Sequence, residues 1–205
     1  MKNFIFDIDG TLIDTASLDR VTMQQALAEN GYDFTFEQLR FAFGMPGRIA
    51  LVQLGVQDIL PVMARWEGLL YSRLDEIPIY DGVTQALTAL RAMGKKCGIV
   101  TSRSRSQFER GFSPIGMDGY FDEIVCADEV ENPKPAPDEL VECIRRLGGT
   151  AAESVYIGDS RYDMQCAASA GVKSALALWG ADDPDSLAAD WRLAKPEELL
   201  TLGAR

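Results

Sequence analysis

Phe4-Ile5-Phe6-Asp7-Ile8-Asp9-Gly10-Thr11 is the stretch that decides the fold. Three bulky apolar residues in succession read as a buried strand, and the run ends at once in two carboxylates. Side chains alternate along a strand, so Asp7 and Asp9 are expected to point the same way. No cation stands beside them in sequence, and burying unpaired charge is costly. Such a pair holds a metal or does chemistry. Gly10 permits a sharp turn and close backbone approach to a ligand. A strand followed by an Asx-type turn would carry the same residues, so the reading depends on what lies further along.

Composition narrows the choice. The chain has 205 residues, 47% hydrophobic and 25% charged, enough for one medium domain or a core domain with an insertion. Its net charge of -11 argues against a nucleic-acid or anionic-membrane partner. A phosphate-bearing substrate would then have to be captured locally, by a metal, a lysine or a helix N-terminus. Met1-Lys2-Asn3 leads straight into the strand pattern and no apolar stretch reaches membrane-spanning length, so a cytoplasmic protein without a signal peptide is expected. Histidine is absent, which removes Ser-His-Asp triads, His-ligated zinc and any imidazole base. Proton transfer falls to carboxylates, Lys, Tyr or Cys. Cys97, Cys126, Cys143 and Cys166 show no metal spacing and read as free thiols. Cys97 to Arg103 has the C-x5-R spacing of cysteine-dependent phosphatases, but Gly98-Ile99-Val100-Thr101-Ser102 between them reads as a strand and not as a Gly-rich loop.

After residue 81, short β-rich runs alternate with amphipathic helices. Apolar residues at 83, 86, 87, 90 and 93 mark a helix ended by Gly94, and Leu140, Val141, Ile144 and Leu147 mark another ended by Gly148. Strands are expected at Lys96–Thr101, Ile124–Cys126, Ser154–Gly158 and Lys173–Leu178. This alternation implies a parallel sheet covered on both faces. Residues 15 to 80 are helical throughout: Thr15–Glu29, Thr35–Phe43, Pro46–Leu54 and Asp58–Leu74. The expectation is an α/β, Rossmann-like core from 1–14 and 81–205, with a small all-α cap from 15–80 inserted after the first strand.

Four polar clusters fall at strand ends, where open α/β sheets bind ligands. They are Asp7 and Asp9 with Thr11; Thr101-Ser102; Asn132-Pro133-Lys134-Pro135-Ala136-Pro137; and Gly158-Asp159-Ser160-Arg161-Tyr162-Asp163. Thr101-Ser102 offers hydroxyls and backbone N–H groups to an anion, prolines fix the backbone around Lys134, and Asp159 and Asp163 sit at a strand-to-helix turn. Singly, each has a bland reading as a cap or a solvated loop. In this order they form one pattern.

With these motifs the chain resembles the haloacid dehalogenase-like hydrolase superfamily over its whole length. Val100-Thr101-Ser102, Asn132–Pro137, Gly158–Asp163 and Leu178-Trp179-Gly180 look most like its phosphoglycolate phosphatases and related small-phosphate phosphatases. The resemblance implies Asp7 as nucleophile, forming an aspartyl phosphate, and Asp9 as the acid and base. It implies Mg²⁺ as cofactor, held by Asp7, the Asp9 carbonyl, Asp159 and, directly or through water, Asp163. Thr11, Thr101, Ser102 and Lys134 would bind the substrate phosphate, that of a small phosphorylated metabolite. The dehalogenases themselves lack a carboxylate at the position of Asp9, which rejects dehalogenation.

Two other readings stand beside this Mg²⁺-dependent phosphomonoesterase. A β-phosphoglucomutase-like phosphosugar mutase shares the four motifs, but it carries a His-containing segment where Asp14–Arg20 has none. A non-catalytic phosphate-binding regulator would be favoured by loss of an acid, and every acid is present. In the cap, Gly44-Met45-Pro46-Gly47-Arg48 reads as a turn between helices, from which Arg48 could pair with a second anionic group on the substrate. Trp66 and Tyr71 read as packing for the cap. If Arg48 reads a second anion, Arg48→Ala lowers kcat/KM for phosphoglycolate more than for a phosphate with a neutral remainder, and equal losses on the two rule that role out.

Overall fold

A computed structural model describes residues 1–42 and 47–203 of the chain. Phe43 and the Gly44-Met45-Pro46 part of the expected turn lie outside the described residues. Among the described residues, six strands form one parallel sheet: β1 (Asn3–Phe6), β2 (Lys96–Thr101), β3 (Glu123–Cys126), β4 (Ser154–Gly158), β5 (Lys173–Ala177) and β6 (Trp191–Leu193). Their order is β3-β2-β1-β4-β5-β6. β1 is central and buried throughout, which is why its sequence runs apolar instead of alternating. Phe6 stands opposite Ile99 of β2 and Ile157 of β4, so the C-terminal ends of these three strands lie side by side. The connections run outward in opposite directions from β1 and β4, the switch point where α/β sheets leave a crevice.

β6 was not among the expected strands. It is three residues long, pairs only with β5, and buries Leu193 alone, too little for a pattern to register. The helices that follow the insertion are α5 (Val83–Ala92), α6 (Arg105–Gly111), α7 (Asp138–Leu147), α8 (Arg161–Ala170) and α9 (Leu199–Gly203), numbered after the four within it. Ser104 and Ser160 begin α6 and α8 with capping boxes, each hydroxyl accepting from the backbone N–H three residues on. In α7, Val141 is exposed and Cys143 takes the buried place beside Leu140, Ile144 and Leu147.

The inserted cap is all-α: α1 (Ala16–Glu29), α2 (Phe36–Leu39), α3 (Gly47–Gln53) and α4 (Ile59–Tyr71). The chain divides into two compact units, Met1–Asp14 with Ile79–Arg205, and Thr15–Pro78. The second has its own core, in which Met23, Leu27, Leu39, Leu51 and Val62 are buried and Trp66 packs against them. The helix expected over Thr35–Phe43 is a four-residue helix continued by the 3₁₀ turn Arg40–Ala42. The one expected over Asp58–Leu74 stops at Tyr71, and Leu74–Glu76 forms a separate turn.

α7 lies so close to β2 that a Cβ on Gly98 would stand 2.7 Å from Cys143 Sγ and 3.3 Å from Leu147 Cδ1. Strand propensity favours valine here, whereas packing forbids it. Gly98→Val is therefore expected to destabilise the protein by about 1–3 kcal/mol in urea denaturation, and adding Cys143→Ala is expected to recover part of the loss. A neutral or stabilising Gly98→Val would show that propensity wins.

Candidate active site

Asp7 follows the last residue of β1, and its N–H still donates to Ile157 O at 2.9 Å, extending the ladder. Beyond it the chain leaves the sheet. The N–H groups of Thr11, Leu12 and Ile13 all converge on Ile8 O, closing a turn through Gly10, whose φ is +81°. A Cβ on Gly10 would lie 2.3 Å from Asp159 Oδ2. Glycine here both takes the left-handed turn and leaves the space that the Asp159 carboxylate fills.

Asp7 and Asp9 take different cations: β1 ends at Phe6, and Asp9 lies in the turn that follows. Asp7 Oδ1 accepts from Lys134 Nζ at 2.8 Å. The Asp9 carboxylate takes both prongs of a guanidinium, Arg103 Nε to Oδ2 at 2.8 Å and Nη2 to Oδ1 at 2.5 Å.

Lys134 is buried, its side chain 3% exposed, and its ammonium donates to Asp7, to Asp163 Oδ1 at 2.9 Å and to Tyr156 OH at 3.0 Å. Burial works against its charge, but Asp163, Asp7 and Glu139 outweigh that and hold its pKa well above the usual lysine value. Asp163, the third residue of α8, also accepts from Tyr156 OH at 2.9 Å and from Ser160 Oγ and N–H at 2.6 and 3.1 Å. Burial would raise its pKa, yet Lys134 and the Ser160 bonds prevail and hold it below the usual value. Burial pushes Asp7 up to about 7, Lys134 opposing while Asp163 and Asp9 add to the rise. Burial, reinforced by Asp163 and Asp7, raises Asp159 well above the carboxylate range.

Oxygens of Asp7, Asp159 and Asp163 lie within 4.8 Å of one another. With all three ionised, Lys134 leaves two negative charges uncompensated, which adds to the burial that raises Asp7 and Asp159. Hard oxygen donors with a twofold charge deficit fit a divalent cation such as Mg²⁺. Asp159 suits direct ligation, since Thr11 Oγ1, at 2.9 Å from Oδ1, is its hydrogen-bond donor. Asp163 is already engaged by Lys134, Tyr156 and Ser160, which suits contact through water.

Of the residues singled out in the sequence, Asp7, Lys134, Asp159 and Asp163 come together here, and Thr101 is buried at the end of the neighbouring β2 with Ser102 next to it. Thr11, expected on the substrate phosphate, gives its hydroxyl proton to Asp159. Arg48 lies on α3 of the cap unit and is exposed. Cys97 is buried at the start of β2, the length of the strand from Arg103, and burial pushes its thiol up to about 12, which disposes of the cysteine nucleophile.

Sequence reasoning missed four contributors. Tyr156 reads as strand core, and Ser160 as a cap alone. Glu139 reads as an acid in a helix's first turn, yet it is 0% exposed and accepts from the Lys134 N–H at 2.7 Å through Oε2. Burial pushes it up to about 7. Arg103 offered one signal, its place directly after Thr101-Ser102.

The profile of the haloacid dehalogenase-like hydrolases matches residues 4–177, and the chain belongs to that family. It is a hydrolase of the phosphatase kind, acting through an aspartate nucleophile on a small phosphorylated substrate. It is similar to the pyrophosphatase PpaX of Listeria innocua serovar 6a, 31% identical over 213 residues that cover 98% of this chain and 96% of that one. The phosphoglycolate phosphatase of Aquifex aeolicus is 27% identical over 207 residues, covering 98% and 96%. Among solved structures, a candidate phosphoglycolate phosphatase from Lactobacillus plantarum superposes with a TM-score of 0.90 at 29% identity, over 98% of each chain.

The acid cluster gives a prediction for the metal-free protein. A carboxyl whose folded pKa is raised favours folding only while protonated; that contribution is complete below the unfolded value of about 3.9 and is lost as pH rises through the folded value. Asp159→Asn has no such loss. At pH 8 without metal it is expected to melt above the parent by about 2–8 °C, corresponding to about 1–2 kcal/mol, with the gap closing toward pH 4. Added Mg²⁺ is expected to raise the parent's Tm and to move the variant less. A variant less stable than its parent at pH 8 would refute the charge excess.

Proposed function

We propose that the protein is a Mg²⁺-dependent phosphomonoesterase that hydrolyses a small phosphorylated metabolite through an aspartyl phosphate on Asp7, with phosphoglycolate as the first candidate substrate. The observation that carries this reading is the buried Lys134 ammonium, 2.8 Å from Asp7 and 2.9 Å from Asp163, in the crevice beside β1. It steadies the nucleophile and lies where phosphoryl charge would have to be offset.

Asp7 attacks phosphorus as the bond to the leaving oxygen breaks. Asp9 gives that oxygen a proton and then takes one from the water that hydrolyses the acyl phosphate, work that falls to a carboxylate in a chain without histidine. The Thr101 hydroxyl and the Ser102 N–H hold the phosphoryl oxygens, Lys134 offsets their charge from its place between Asp7 and Asp163, and Thr11 acts one step back by orienting Asp159. Asp7, the Asp9 carbonyl and Asp159 would hold Mg²⁺, with Asp163 contributing directly or through a water. When bound, Mg²⁺ supplies the positive charge that offsets the phosphate and the acids together. The PpaX relatives make pyrophosphate the second candidate substrate. The buried free thiols fit a cytoplasmic setting, and no described helix is long and apolar enough to cross a membrane.

Phosphate release with and without Mg²⁺, across phosphoglycolate, pyrophosphate, phosphosugars and aryl phosphates, tests the reading directly. Asp7→Asn is expected to abolish turnover, and Asp9→Asn to slow it by about 10²-fold or more. Lys134→Ala is expected to fold and to lose most activity. Substantial turnover by a folded Asp7→Asn protein would overturn the mechanism.

A further inference from the structure

The pairing of Arg103 with Asp9 has no counterpart in the chemistry set out above. Arg103 follows the proposed phosphate-holding pair Thr101-Ser102, and its N–H lies 3.3 Å from Thr101 Oγ1. Its side chain is 12% exposed, while that of Asp9 is 39% exposed. The guanidinium is therefore the fixed half of the pair, and the carboxylate is the half with room to turn. Both Asp9 oxygens accept from Arg103, so carrying a proton to a leaving oxygen means loosening at least one of these bonds.

An arriving anion needs a cation with hydrogen-bond donors it can give up to it. The Lys134 ammonium spends its three protons on Asp7, Tyr156 and Asp163. Arg103 is the described cation beside this cluster whose partner can be exchanged without leaving a fully buried acid bare. A planar guanidinium binds carboxylate and phosphate with the same two-pronged geometry.

We propose that Arg103 is a specificity-determining residue, which exchanges Asp9 for a second anionic group, carboxylate or phosphate, carried on the leaving portion of the substrate. The inference rests on the phosphatase reading and deepens it. The exchange breaks one ion pair and makes another, so little net charge is exposed, and the same event frees Asp9 for proton transfer. A substrate with a neutral leaving portion offers Arg103 no new partner, and Asp9 stays held. Preference for a doubly anionic substrate would thus be built into the catalytic unit itself.

The test compares phosphoglycolate with 2-hydroxyethyl phosphate, and pyrophosphate with methyl phosphate, on the full chain at saturating Mg²⁺. The parent is expected to prefer the anionic member of at least one pair, and which pair tells carboxylate from phosphate. Arg103→Met is expected to lower kcat/KM for that member by about 10- to 100-fold and for its neutral partner by less than about 3-fold, the worth of hydrogen bonds to a charged group. Arg103→Lys should recover part of the preference, since it keeps the charge without the fork. Equal losses on both members, or no loss, would reduce Arg103 to a structural partner of Asp9 and overturn the inference. A parent without preference overturns it with no variant needed, so a misfolded Arg103→Met does not protect it. No turnover of any ester would overturn the phosphatase reading, and this inference with it, whereas turnover without preference overturns this inference alone.

Discussion

One buried ammonium holds this site together. Lys134 comes from a proline-flanked loop, yet its three protons reach Asp7 from β1, Asp163 from α8 and Tyr156 from β4. Removing water from charges on this scale is costly, and a buried pair is stable only when its remaining oxygens and protons are also satisfied. That condition is met for Asp163 by Ser160 and Tyr156. It is not met for Asp7 and Asp159, whose pKa values are raised first by burial and then by the neighbouring acids. The protein tolerates this because the surroundings are already fixed: the Gly10 turn leaves room for Asp159, and Thr11 directs one of its oxygens. A site built in this way favours any cation that can enter it.

The sheet supplies the rest. Residues 7, 101, 134 and 159 are far apart in sequence, and a parallel sheet with β1 in the middle brings their strand ends to one edge. The loop after β5 closes that edge from the other side. Trp179 Nε1 donates to Thr11 O at 3.0 Å, and a Cβ on Gly180 would fall 1.7 Å from Gly10 O. Leu178-Trp179-Gly180 is therefore a brace for the Asp9–Thr11 turn.

Most of the fold was legible in the sequence. Strands buried on both faces leave unbroken apolar runs, and Lys96–Thr101 and Ser154–Gly158 begin and end where those runs do. What was not legible lacked such a run. β6 buries one residue, α2 spans four, and Val141 continues an apolar row on to the solvent side of α7. Alternation is a property of the strand, which ends one residue before Asp7, so it does not by itself fix the direction of Asp9 in the turn beyond.

Within the site, legibility follows chemistry. A nucleophile, a metal ligand or a buried cation must be one of a few residue types, so Asp7, Asp159 and Lys134 stand out against their neighbours. The groups that hold them are less restricted. Thr11 steadies Asp159, Ser160 steadies Asp163, Glu139 fixes the Lys134 backbone, and Arg103 grips Asp9. Many side chains can donate or accept one hydrogen bond, so such positions look like caps, core or solvated surface until the partner is seen. Glu139 makes the point most sharply, because an acid at the start of a helix is expected in water and this one is fully buried. Its place is explained by Lys134 twice over: it accepts the backbone N–H that sets the loop, and its charge helps to hold the ammonium protonated.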